Sequence, residues 1–408
     1  MRVLIIGPVR DGHEKLVRLG HTLVLFMKRP DFAGPHSAAE DLGRPYESIH
    51  LFPPGAGAGE YTDIAQALHR HRPFDGVCCL ADGLQHIAIG VAAALGLSFP
   101  VAPGALALAF DKHATRRTLQ GLGLDPTPAE LAADVAGLAA AAARIGYPVI
   151  VKPCNATGSS GVTRVDDAAG MAHAAARLAA RGHGFPVLVE AFLAGEELSV
   201  EAISEGGVHT VLAVTKKYID ANFVECGHVV PAPLEARAHG AVCRFVEQVL
   251  GALGVIDGPS HTEVMLTSAG PRLIETHTRP GGDQIFELVH LATGNDLMEL
   301  TVRQFIGERV LDDIVRDAPA DRHAAIWFAI PAGAPGARLA RVDGIDLARA
   351  SAGVQRVQLL KEPGAGMENV RHSYDRSAYA IAVGASAAQA LDRARDAIGK
   401  LVFISAES

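Results

Sequence analysis

A single lysine ends an apolar run and stands shortly before a loop of small residues, in the stretch "GYPVIVKPCNATGSSGVTRV" (146–165). Lys152 at a strand end would hold its ammonium group in a fixed place. Glycine and serine let backbone N–H groups approach an anion closely. The Walker phosphate loop has its lysine after the glycines and a helix behind them. The order is reversed here, so the pattern predicts a different phosphate site, with a plain surface hairpin as the alternative.

Two carboxylates follow in "VLVEAFLAGEELSVE" (187–201). Glu190 ends a predicted strand and precedes the apolar linker "AFL", which suits an adenine edge and hydrogen bonds from the linker backbone. Glu197 comes seven residues later and could take ribose hydroxyls. The alternative, a solvated acidic turn, applies to Glu196 more than to the other two.

A second carboxylate pair lies in "HTEVML…RLIETH", which predicts a hairpin around "SAGP". Glu263 and Glu275 stand on its two strands and can face the same way. Like charges side by side are unfavourable without a cation. Mg²⁺ binds through one or two carboxylates plus substrate phosphates, so the pair predicts a phosphoryl-transfer site. The apolar flanks argue against two exposed hairpin glutamates.

The segment "THTRPGGDQI" follows the second glutamate. Arg279 near a metal would stabilise anionic oxygens as charge develops. Gly281 and Gly282 lead into a predicted helix, whose first N–H groups would add donors for a carboxylate or phosphate. The pattern predicts Arg279, Lys152 and Gly282 as the catalytic set.

Composition indicates the class of protein to which these residues belong. The chain has 408 residues, 49% of them hydrophobic and 20% charged, which indicates a globular enzyme of two to four domains. A net charge of −8 without a basic block argues against nucleic acid as a partner. No apolar run is long enough to span a bilayer, and no signal peptide is evident at the start. Five cysteines without a C-x-x-C pair predict free thiols and a cytoplasmic location.

Strand and helix patterns alternate over the first 100 residues or so and predict an open parallel sheet. The segment "GPVRDG" after the first strand does not match the dinucleotide fingerprint, which disfavours an oxidoreductase. We expect a Pro/Gly-marked junction over 99–110, then a helix with Asp111 as N-cap. An Ala-rich helix is predicted over 130–146. A linker from about 312 precedes strands and a final helix.

Taken in order, "DKHATRRTL", "VIVKPCNATGSSGV", "VEAFLAGEELSVE" and "TEVM…LIETHTRPGGD" resemble the ATP-grasp superfamily over about 106–306. The resemblance implies an α/β and α+β chain with an ATP-grasp fold. A Rossmann-like pre-ATP-grasp domain would span 1–105 and the ATP-grasp domain 106–310. Within the latter, a small lobe would cover about 112–190 and a large lobe about 191–310. A small C-terminal subdomain would take 311–408.

The resemblance also implies a role for each motif residue toward ATP and Mg²⁺, with Mn²⁺ as a substitute. The nucleotide would contact Lys112 and Lys152 at its phosphates, a flap of Thr157, Gly158, Ser159, Ser160 and Gly161, the adenine-binding Glu190, Ala191, Phe192 and Leu193, and the ribose-binding Glu197. Glu263 and Glu275 would bind the metal, and Arg279 the acyl phosphate. His277 stands where many members have a metal-binding asparagine. Imidazole is the poorer Mg²⁺ ligand, so its part in the predicted metal set is open.

The motifs that the sequence has and lacks indicate one branch of the ATP-grasp superfamily. Neither the "NPR…VEH" pattern of biotin carboxylases nor the "RPHNSGH" pattern of purine-pathway members occurs. The segments "GPSHTEV", "IETHTRPGGDQI" and "NFVECGHVVPAPL" are similar to L-amino acid ligases, which form dipeptides and often serve natural-product pathways. The implied reaction joins an amino acid to a second amine or amino acid, through an acyl phosphate, with release of ADP and phosphate. A homodimer, common in the superfamily, stays open.

Substrate recognition is predicted in "KKYIDANFVECGHVVPAP" (216–233). Glu225 could hold an amino group, and His228 and His261 could act as bases or donors, although such histidines are more often structural. Lys216 and Lys217 could reach phosphate or be solvated. Two readings remain beside dipeptide ligation: a ligase for a non-amino-acid carboxylate or another nucleophile, and a non-catalytic nucleotide-binding protein. The intact Lys152, Glu263, Glu275 and Arg279 set disfavours the second.

Overall fold

The computed structural model describes residues 1–29, 46–154, 161–220, 223–317, 319, 321–330, 336–367 and 373–406 of the chain. Three sheets of four, four and eight strands, and a separate two-stranded pair, form its framework. Among the described residues, no helix is both long and apolar enough to cross a membrane.

The N-terminal region folds as a parallel sheet with strand order β3-β2-β1-β4, as predicted. All five positions of its central strand are buried, so both faces need a cover of helices. The strands are β1 (Arg2–Ile6), β2 (Thr22–Lys28), β3 (Tyr46–Phe52) and β4 (Gly76–Cys78), and the helices are α1 (Arg10–Arg18), α2 (Ala58–His71), α3 (Asp82–Leu95) and α4 (Pro103–Phe110). Helix α3 begins just beyond the carboxyl end of β4, the side of a parallel sheet where ligands usually bind.

The second sheet is antiparallel, with strand order β5-β8-β6-β7. Its strands are β5 (Ala129–Ala132), β6 (Val149–Pro153), β7 (Thr163–Val165) and β8 (Val187–Ala191), and the helices of this region are α5 (Lys112–Gly121), α6 (Val135–Ile145) and α7 (Met171–Ala180). Asp111 caps α5 as predicted, because its carboxylate accepts the N–H groups of His113 and Ala114, each at 3.0 Å.

The third sheet has eight antiparallel strands in the order β13-β12-β9-β10-β11-β14-β17-β16. The strands from 196 onward are β9 (Glu196–Glu205), β10 (Val208–Ile219), β11 (Glu225–Val230), β12 (Gly258–Thr267), β13 (Gly270–His277), β14 (His323–Ala329), β15 (Leu339–Asp343), β16 (Val354–Leu359), β17 (Ala378–Gly384) and β18 (Val402–Ser405). The helices are α8 (Ala236–Ala252), α9 (Ile285–Thr293), α10 (Leu297–Phe305), α11 (Ile345–Arg349) and α12 (Ala387–Gly399). Strands β15 and β18 pair with each other apart from the main sheet.

This sheet continues across the predicted C-terminal boundary at 310. Strand β11 pairs with β14 along Gly227–Val230, and β14 pairs with β17. A side chain at Gly227 would collide with the Trp327 ring and the Ile326 carbonyl, so glycine lets the ring lie against this strand. The C-terminal strands therefore extend the sheet that carries the hairpin glutamates.

Period-two alternation assigns the two faces of the large sheet. In β9, Leu198, Val200 and Ala202 pack against α8 in one apolar cluster. The alternate position Glu201 is fully buried among polar groups on the other face. The same alternation in the β12–β13 hairpin puts Val264 into the α8 cluster. It leaves Glu263 on the face that holds the candidate site. In β13 a register shift at Ile274 puts Glu275 opposite Glu263 on that face, although Leu273 is in the α8 cluster.

Two local predictions are wrong. The 99–110 segment is not a plain junction, because Pro103 starts helix α4, a first-turn position where its missing N–H costs nothing. The Ala-rich stretch is not a single helix, because residues 129–132 pair with β8 as strand β5 before α6 begins. Strands β15 and β18 were not predicted.

Burial of His13 generates the first prediction. The ring is 4% exposed and its Nδ1 lies 2.6 Å from the Tyr46 hydroxyl. Burial, and next the charge of Arg10, lowers the pKa of His13 to about 3. The unfolded chain takes up this proton below about pH 6.5 and the folded chain does not. Stability is therefore lost as pH falls from 6.5 toward 3, by about 1.4 kcal/mol per pH unit from this residue.

We expect His13→Gln to flatten this slope, as measured by thermal unfolding at pH 5, 6 and 7. As pH falls, the thermal unfolding midpoint of the variant should decrease less than that of the parent protein. Parallel pH curves for the two proteins would show that His13 does not cause the loss.

Candidate active site

An open cleft, with about 840 Å³ of empty space when its solvent opening is included, lies between the second sheet and the β12–β13 hairpin. Its walls combine apolar and charged side chains, as a nucleotide site requires. The charged set contains the predicted Lys112, Lys152, Glu190, Glu197, Glu263 and Glu275, and the apolar set contains Ile150, Val162, Phe192, Leu193, Met265, Leu273 and Ile274. The structure therefore brings together nucleotide-site residues that are up to 163 positions apart (275 − 112).

Glu190 sits at the inner end of this cleft between two cations. Its Oε2 lies 2.6 Å from Lys152 Nζ and its Oε1 lies 3.0 Å from Arg116 Nε. Burial alone would raise the pKa of Glu190, but Lys152 and Arg116 outweigh it and lower that pKa. The carboxylate is charged and its position is fixed by both partners.

Arg116 was not predicted as a site residue. It is 2% exposed, and it also donates to Asp125 Oδ2 at 2.8 Å and to the Leu273 carbonyl at 2.9 Å. Asp125 in turn accepts the Leu273 N–H at 2.8 Å. This network joins helix α5 to strands β8 and β13. It fixes the distance between the two walls of the cleft.

The predicted adenine linker follows β8. The Ala191 N–H donates to the Pro128 carbonyl at 3.0 Å and the Phe192 N–H to the Pro148 carbonyl at 3.1 Å. Among the described contacts, the donor that this linker can offer a base is thus the Leu193 amide. Of the predicted flap, Thr157, Gly158, Ser159 and Ser160 lie outside the described residues. Gly161 has a φ of +80°, and a side chain there would meet His183 and Pro153.

The two hairpin glutamates are direct cross-strand partners. The register pairs Glu263 with Glu275 and His261 with His277. Lys217 Nζ lies 2.6 Å from Glu263, and Lys112 Nζ lies 2.7 Å from Glu275. Burial alone would raise the pKa of both carboxylates, but the lysines outweigh it and lower both. Each carboxylate is therefore charged and has its own lysine.

Lys217 is a buried member of this cluster and is not a solvated lysine. Its side chain is 4% exposed and lies 2.9 Å from Glu197 and 3.6 Å from Glu225 as well as contacting Glu263. Burial lowers the pKa of Lys217, and Glu263 and Glu197 outweigh that effect and raise it well above its usual value. Glu197 pairs with this lysine within the cleft. Lys216 lies outside the cluster and pairs with Glu196 at 3.2 Å.

A divalent cation fits this pair by its chemistry. Two ionised carboxylates, only 14% and 15% exposed, lie opposite each other, and Mg²⁺ needs one or two such ligands plus phosphate oxygens. Among the described residues, no group of three or more His, Cys, Asp or Glu side chains forms a preformed metal centre. The predicted set of Glu263, Glu275 and His277 thus stays a prediction.

A second cavity, with about 770 Å³ of empty space when its solvent opening is included, adjoins the first and shares Glu263 and Glu275 with it. Four of the predicted substrate residues line it, namely Glu225, His228, His261 and Arg279, and so does Gly282, which was predicted as catalytic. The predicted Gly281 is not among the lining residues, whereas Asp283, Ser373 and Arg376, which were not predicted, are. The carboxylate pair therefore stands between a nucleotide-sized cleft and a charged chamber.

Arg376 comes from the C-terminal region and is 5% exposed. Its Nη1 lies 2.7 Å from Asp283 Oδ2, and its guanidinium lies over the Phe328 ring at 3.6 Å. His228 Nε2 contacts the same Asp283 oxygen at 3.0 Å. Burial raises the pKa of Asp283, and Arg376 and His228 outweigh that effect and lower it. The far wall of the chamber is therefore a fixed row of charges.

A side chain of the N-terminal domain positions Arg279. Its Nε donates to Asp82 Oδ2 at 2.6 Å, at the start of helix α3. One turn along, Gln85 exchanges hydrogen bonds with Thr278, donating to its carbonyl and accepting from its hydroxyl. The Gly281 N–H donates to Glu201 at 3.1 Å, so that predicted donor is already used. Asp82 and Gln85 were missed because nothing in their local sequence marks them.

Comparison with known protein families matches residues 145–287 to the ATP-grasp domain and residues 330–405 to the L-amino acid ligase C-terminal domain 2. These matches confirm the predicted superfamily and the ATP-grasp fold. ATP-grasp enzymes use ATP with Mg²⁺, in agreement with the predicted cofactors.

Relatives extend the comparison. The chain is similar to an L-amino acid ligase from Bacillus licheniformis, with a TM-score of 0.85 and 24% identity over 100% of this chain and 99% of that one. It is 34% identical to a D-alanine–D-alanine ligase from Ralstonia pickettii over 43% of this chain and 56% of the relative. It is 29% identical to the uncharacterized protein y4rH from Sinorhizobium fredii over 69% of this chain and 58% of the relative. The chain thus spans less than two thirds of these two curated relatives.

The Arg116 network generates the second prediction. Arg116→Met leaves Asp125 without its buried cation and Glu190 with Lys152 alone, so we expect a loss of about 3–5 kcal/mol in the free energy of unfolding. Arg117→Met changes the next residue of the same helix, which is exposed, and serves as the matched control. Urea unfolding of both variants measures the difference. Equal stability of the two would contradict the network's role.

Proposed function

We propose that this chain, which carries an ATP-grasp domain and an L-amino acid ligase C-terminal domain, is an ATP-dependent carboxylate–amine ligase. Its substrates would be an amino acid and a second amine or amino acid, and its by-products ADP and phosphate. One observation carries the proposal: the opposed Glu263 and Glu275 stand between a nucleotide-sized cleft and a second chamber that holds Arg279. A phosphoryl group could pass from one cavity to a carboxylate in the other.

ATP would enter the first cleft. Its adenine would lie near Glu190 and the Ala191, Phe192 and Leu193 linker, with Glu197 at the ribose. Lys152 and Lys112 would meet the phosphates, since both ammonium groups line the cleft. Each lysine is paired with a carboxylate in this structure, so phosphate oxygens would share these cations with Glu190 and Glu275.

Glu263 and Glu275 would hold Mg²⁺, or Mn²⁺ in its place. The ion, when bound, supplies positive charge against the phosphate oxygens. The chain's own contribution is to keep both carboxylates ionised and opposed before nucleotide binds. In this structure Lys112 contacts Glu275 and Lys217 contacts Glu263, and these contacts keep both carboxylates ionised.

The first step would join a carboxylate oxygen of the acid to the γ-phosphorus and break the bond from that phosphorus to ADP. Arg279 lines the second chamber and would stabilise the negative charge of the acyl phosphate. Gly282, three residues before α9, would add an N–H donor. Asp82 orients the guanidinium from behind.

The second step would join the amine nitrogen to the acyl carbon, with loss of an amine proton and departure of phosphate. Glu225 offers a carboxylate that can bind an ammonium group in the chamber, and His228 lies on the same wall. Exclusion of water matters here because hydrolysis competes with amine attack. The flap would supply that cover. The cytoplasmic location, a homodimer, a natural-product pathway and the absence of nucleic-acid or membrane partners stay predictions.

Product analysis is the third prediction. With Mg-ATP and pooled L-amino acids, we expect ADP together with a new mass equal to two amino acids minus water. ADP without such a mass would indicate a different acid or amine. ADP release that no acid or amine stimulates would contradict the ligase proposal.

Glu275→Gln is the fourth prediction. It removes one charge of the opposed pair, and we expect ADP release to fall by at least about 10²–10³-fold. Glu196→Gln, at a half-exposed rim position of the same sheet, is the matched control and should keep activity. Removal of the divalent cation with EDTA should stop both the parent protein and the control. Full activity of Glu275→Gln would rule out the assigned metal site.

A further inference from the structure

A short turn, residues 281–284, lies between strand β13 and helix α9 and forms part of the wall of the second chamber through Gly282 and Asp283. Asp283 and Gln284 both have left-handed backbone, with φ of +53° and +59°. Residues that carry a side chain adopt this conformation singly and at a cost in energy. Two in succession therefore require neighbouring groups that hold the turn in place.

Arg376 is the first of these groups. Its Nη1 lies 2.7 Å from Asp283 Oδ2, and its Nη2 contacts Asp283 Oδ1. One guanidinium thus binds both oxygens of the carboxylate, an arrangement that fixes the angle of the carboxylate as well as neutralising its charge. Arg356 of strand β16 supports the next residues, because its Nη1 lies 3.4 Å from Gln284 Oε1 and 3.0 Å from Glu287 Oε2.

The guanidinium of Arg376 is itself fixed by three further contacts. Its Nε donates to the Ser373 carbonyl at 2.6 Å, and its Nη1 also donates to the Glu225 carbonyl at 3.2 Å. Its central carbon lies 3.6 Å from the centre of the Phe328 ring, which makes a cation–π contact. Groups other than Asp283 therefore hold this arginine in place.

Asp283 also holds His228. The same Oδ2 that accepts from Arg376 lies 3.0 Å from His228 Nε2. The His228 ring meets the Phe328 ring edge-on, with centroids 6.1 Å apart and 81° between the two planes. We call Arg376, Asp283 and His228 the Asp283 clamp, and Phe328 supports two of its three members.

The Asp283 clamp belongs to one of the two cavities. All three of its residues line the second chamber. Among the described residues that line the nucleotide cleft, none is a member of the clamp. A change in the clamp should therefore alter the reaction of the acid and amine substrates without altering nucleotide binding.

We propose that Arg376 is a positioning residue for the second chamber, and that it acts through Asp283 to fix the 281–284 turn and His228. This inference rests on the proposed function, since it concerns the chamber assigned there to the acid and the amine. Gly282, the proposed N–H donor to the acyl phosphate, is kept in place by the residue that follows it. The C-terminal region thereby completes a site whose other members precede it by 93 residues or more.

The clamp depends on the shape of the guanidinium and not on its charge alone. Lysine would keep the positive charge, but it is a point charge on a flexible stem and does not reproduce the two parallel contacts to Asp283. Arg376→Lys is therefore the informative variant. It leaves the buried carboxylate with a cation, which protects the fold, and removes the fixed angle.

ADP release that depends on amino acids gives the first test, measured with an equimolar pool of L-amino acids at saturating Mg-ATP. We expect Arg376→Lys to lower kcat/KM for the pool about 10²-fold, the size of effect that a small misplacement of reacting groups produces. Affinity for Mg-ADP, from titration calorimetry, should stay within about two-fold. Activity of Arg376→Lys within about two-fold of the parent protein would show that charge alone suffices and would overturn the proposal. An equal loss of Mg-ADP affinity would contradict a role confined to the chamber.

A comparison of two further variants tests the route through Asp283. Asp283→Asn removes the carboxylate, and asparagine tolerates left-handed backbone, so the change does not itself strain the turn. The double variant Arg376→Met with Asp283→Asn contains no uncompensated buried carboxylate. If Arg376 acts through Asp283, the double variant should lose no more activity than Asp283→Asn alone. A further loss of about ten-fold or more would mean that Arg376 contacts the substrate directly, against the proposal.

Arg395→Met is the matched control. Arg395 lies over the ring of Trp327 at 4.1 Å, and Trp327 precedes Phe328 on β14 but packs in a different apolar cluster. The change therefore removes an arginine–aromatic contact on the same strand without touching the chamber, and kcat/KM should stay within about two-fold. Equal losses in Arg395→Met and Arg376→Lys would reduce the clamp to general stability of the C-terminal strands and overturn the proposal. Absence of amino-acid-stimulated ADP release in the parent protein would instead overturn the proposed function and this inference with it.

Discussion

Two largely buried carboxylates face each other across one β-hairpin, and their repulsion is the constraint around which the site is built. Glu263 and Glu275 are fixed as neighbours by the register of β12 and β13. Such a pair is stable only where positive charge is close. Lys217, from β10, and Lys112, from the start of α5, bring that charge from two other elements. The site is therefore an assembly of cations around a fixed anionic pair.

The fold assembles the charged groups of the site by bringing three sheets to one place. The parallel sheet contributes Asp82 at the start of α3, the small antiparallel sheet contributes Lys152 and Glu190, and the large sheet contributes the hairpin. Arg116 connects the second and third through Glu190 and the Leu273 carbonyl. Most of these ion pairs are buried, so loss of one partner leaves an uncompensated charge and is costly.

Much of this site could be predicted from sequence because strand-end positions carry it. Lys152 and Glu190 end strands, and Glu263 and Glu275 flank one tight turn, so local patterns mark them. Arg116, Asp82 and Arg376 could not be found in that way. Each is charged and looks like a surface residue in its own helix or loop, and its burial comes from partners at Asp125, Arg279 and Asp283.

The fold, like the site, could be predicted from the sequence only in part. Alternating strand and helix patterns predicted the parallel sheet, and two apolar runs around "SAGP" predicted the hairpin. The segment 129–145 was misjudged because alanine favours helix and the four-residue strand β5 exists only through its pairing with β8. The continuity of the large sheet past 310 comes from the pairing of β11 with β14, which joins residues about 100 positions apart and leaves no local sequence signal.

The central claim is that the opposed pair serves phosphoryl transfer to a carboxylate. Transfer of isotope tests it most directly. L-amino acids with ¹⁸O in their carboxyl groups, supplied with Mg-ATP, should yield phosphate that carries one ¹⁸O per turnover, because the acyl phosphate releases its bridging oxygen with phosphorus. Unlabelled phosphate accompanied by amide product, or label in AMP, would contradict the account.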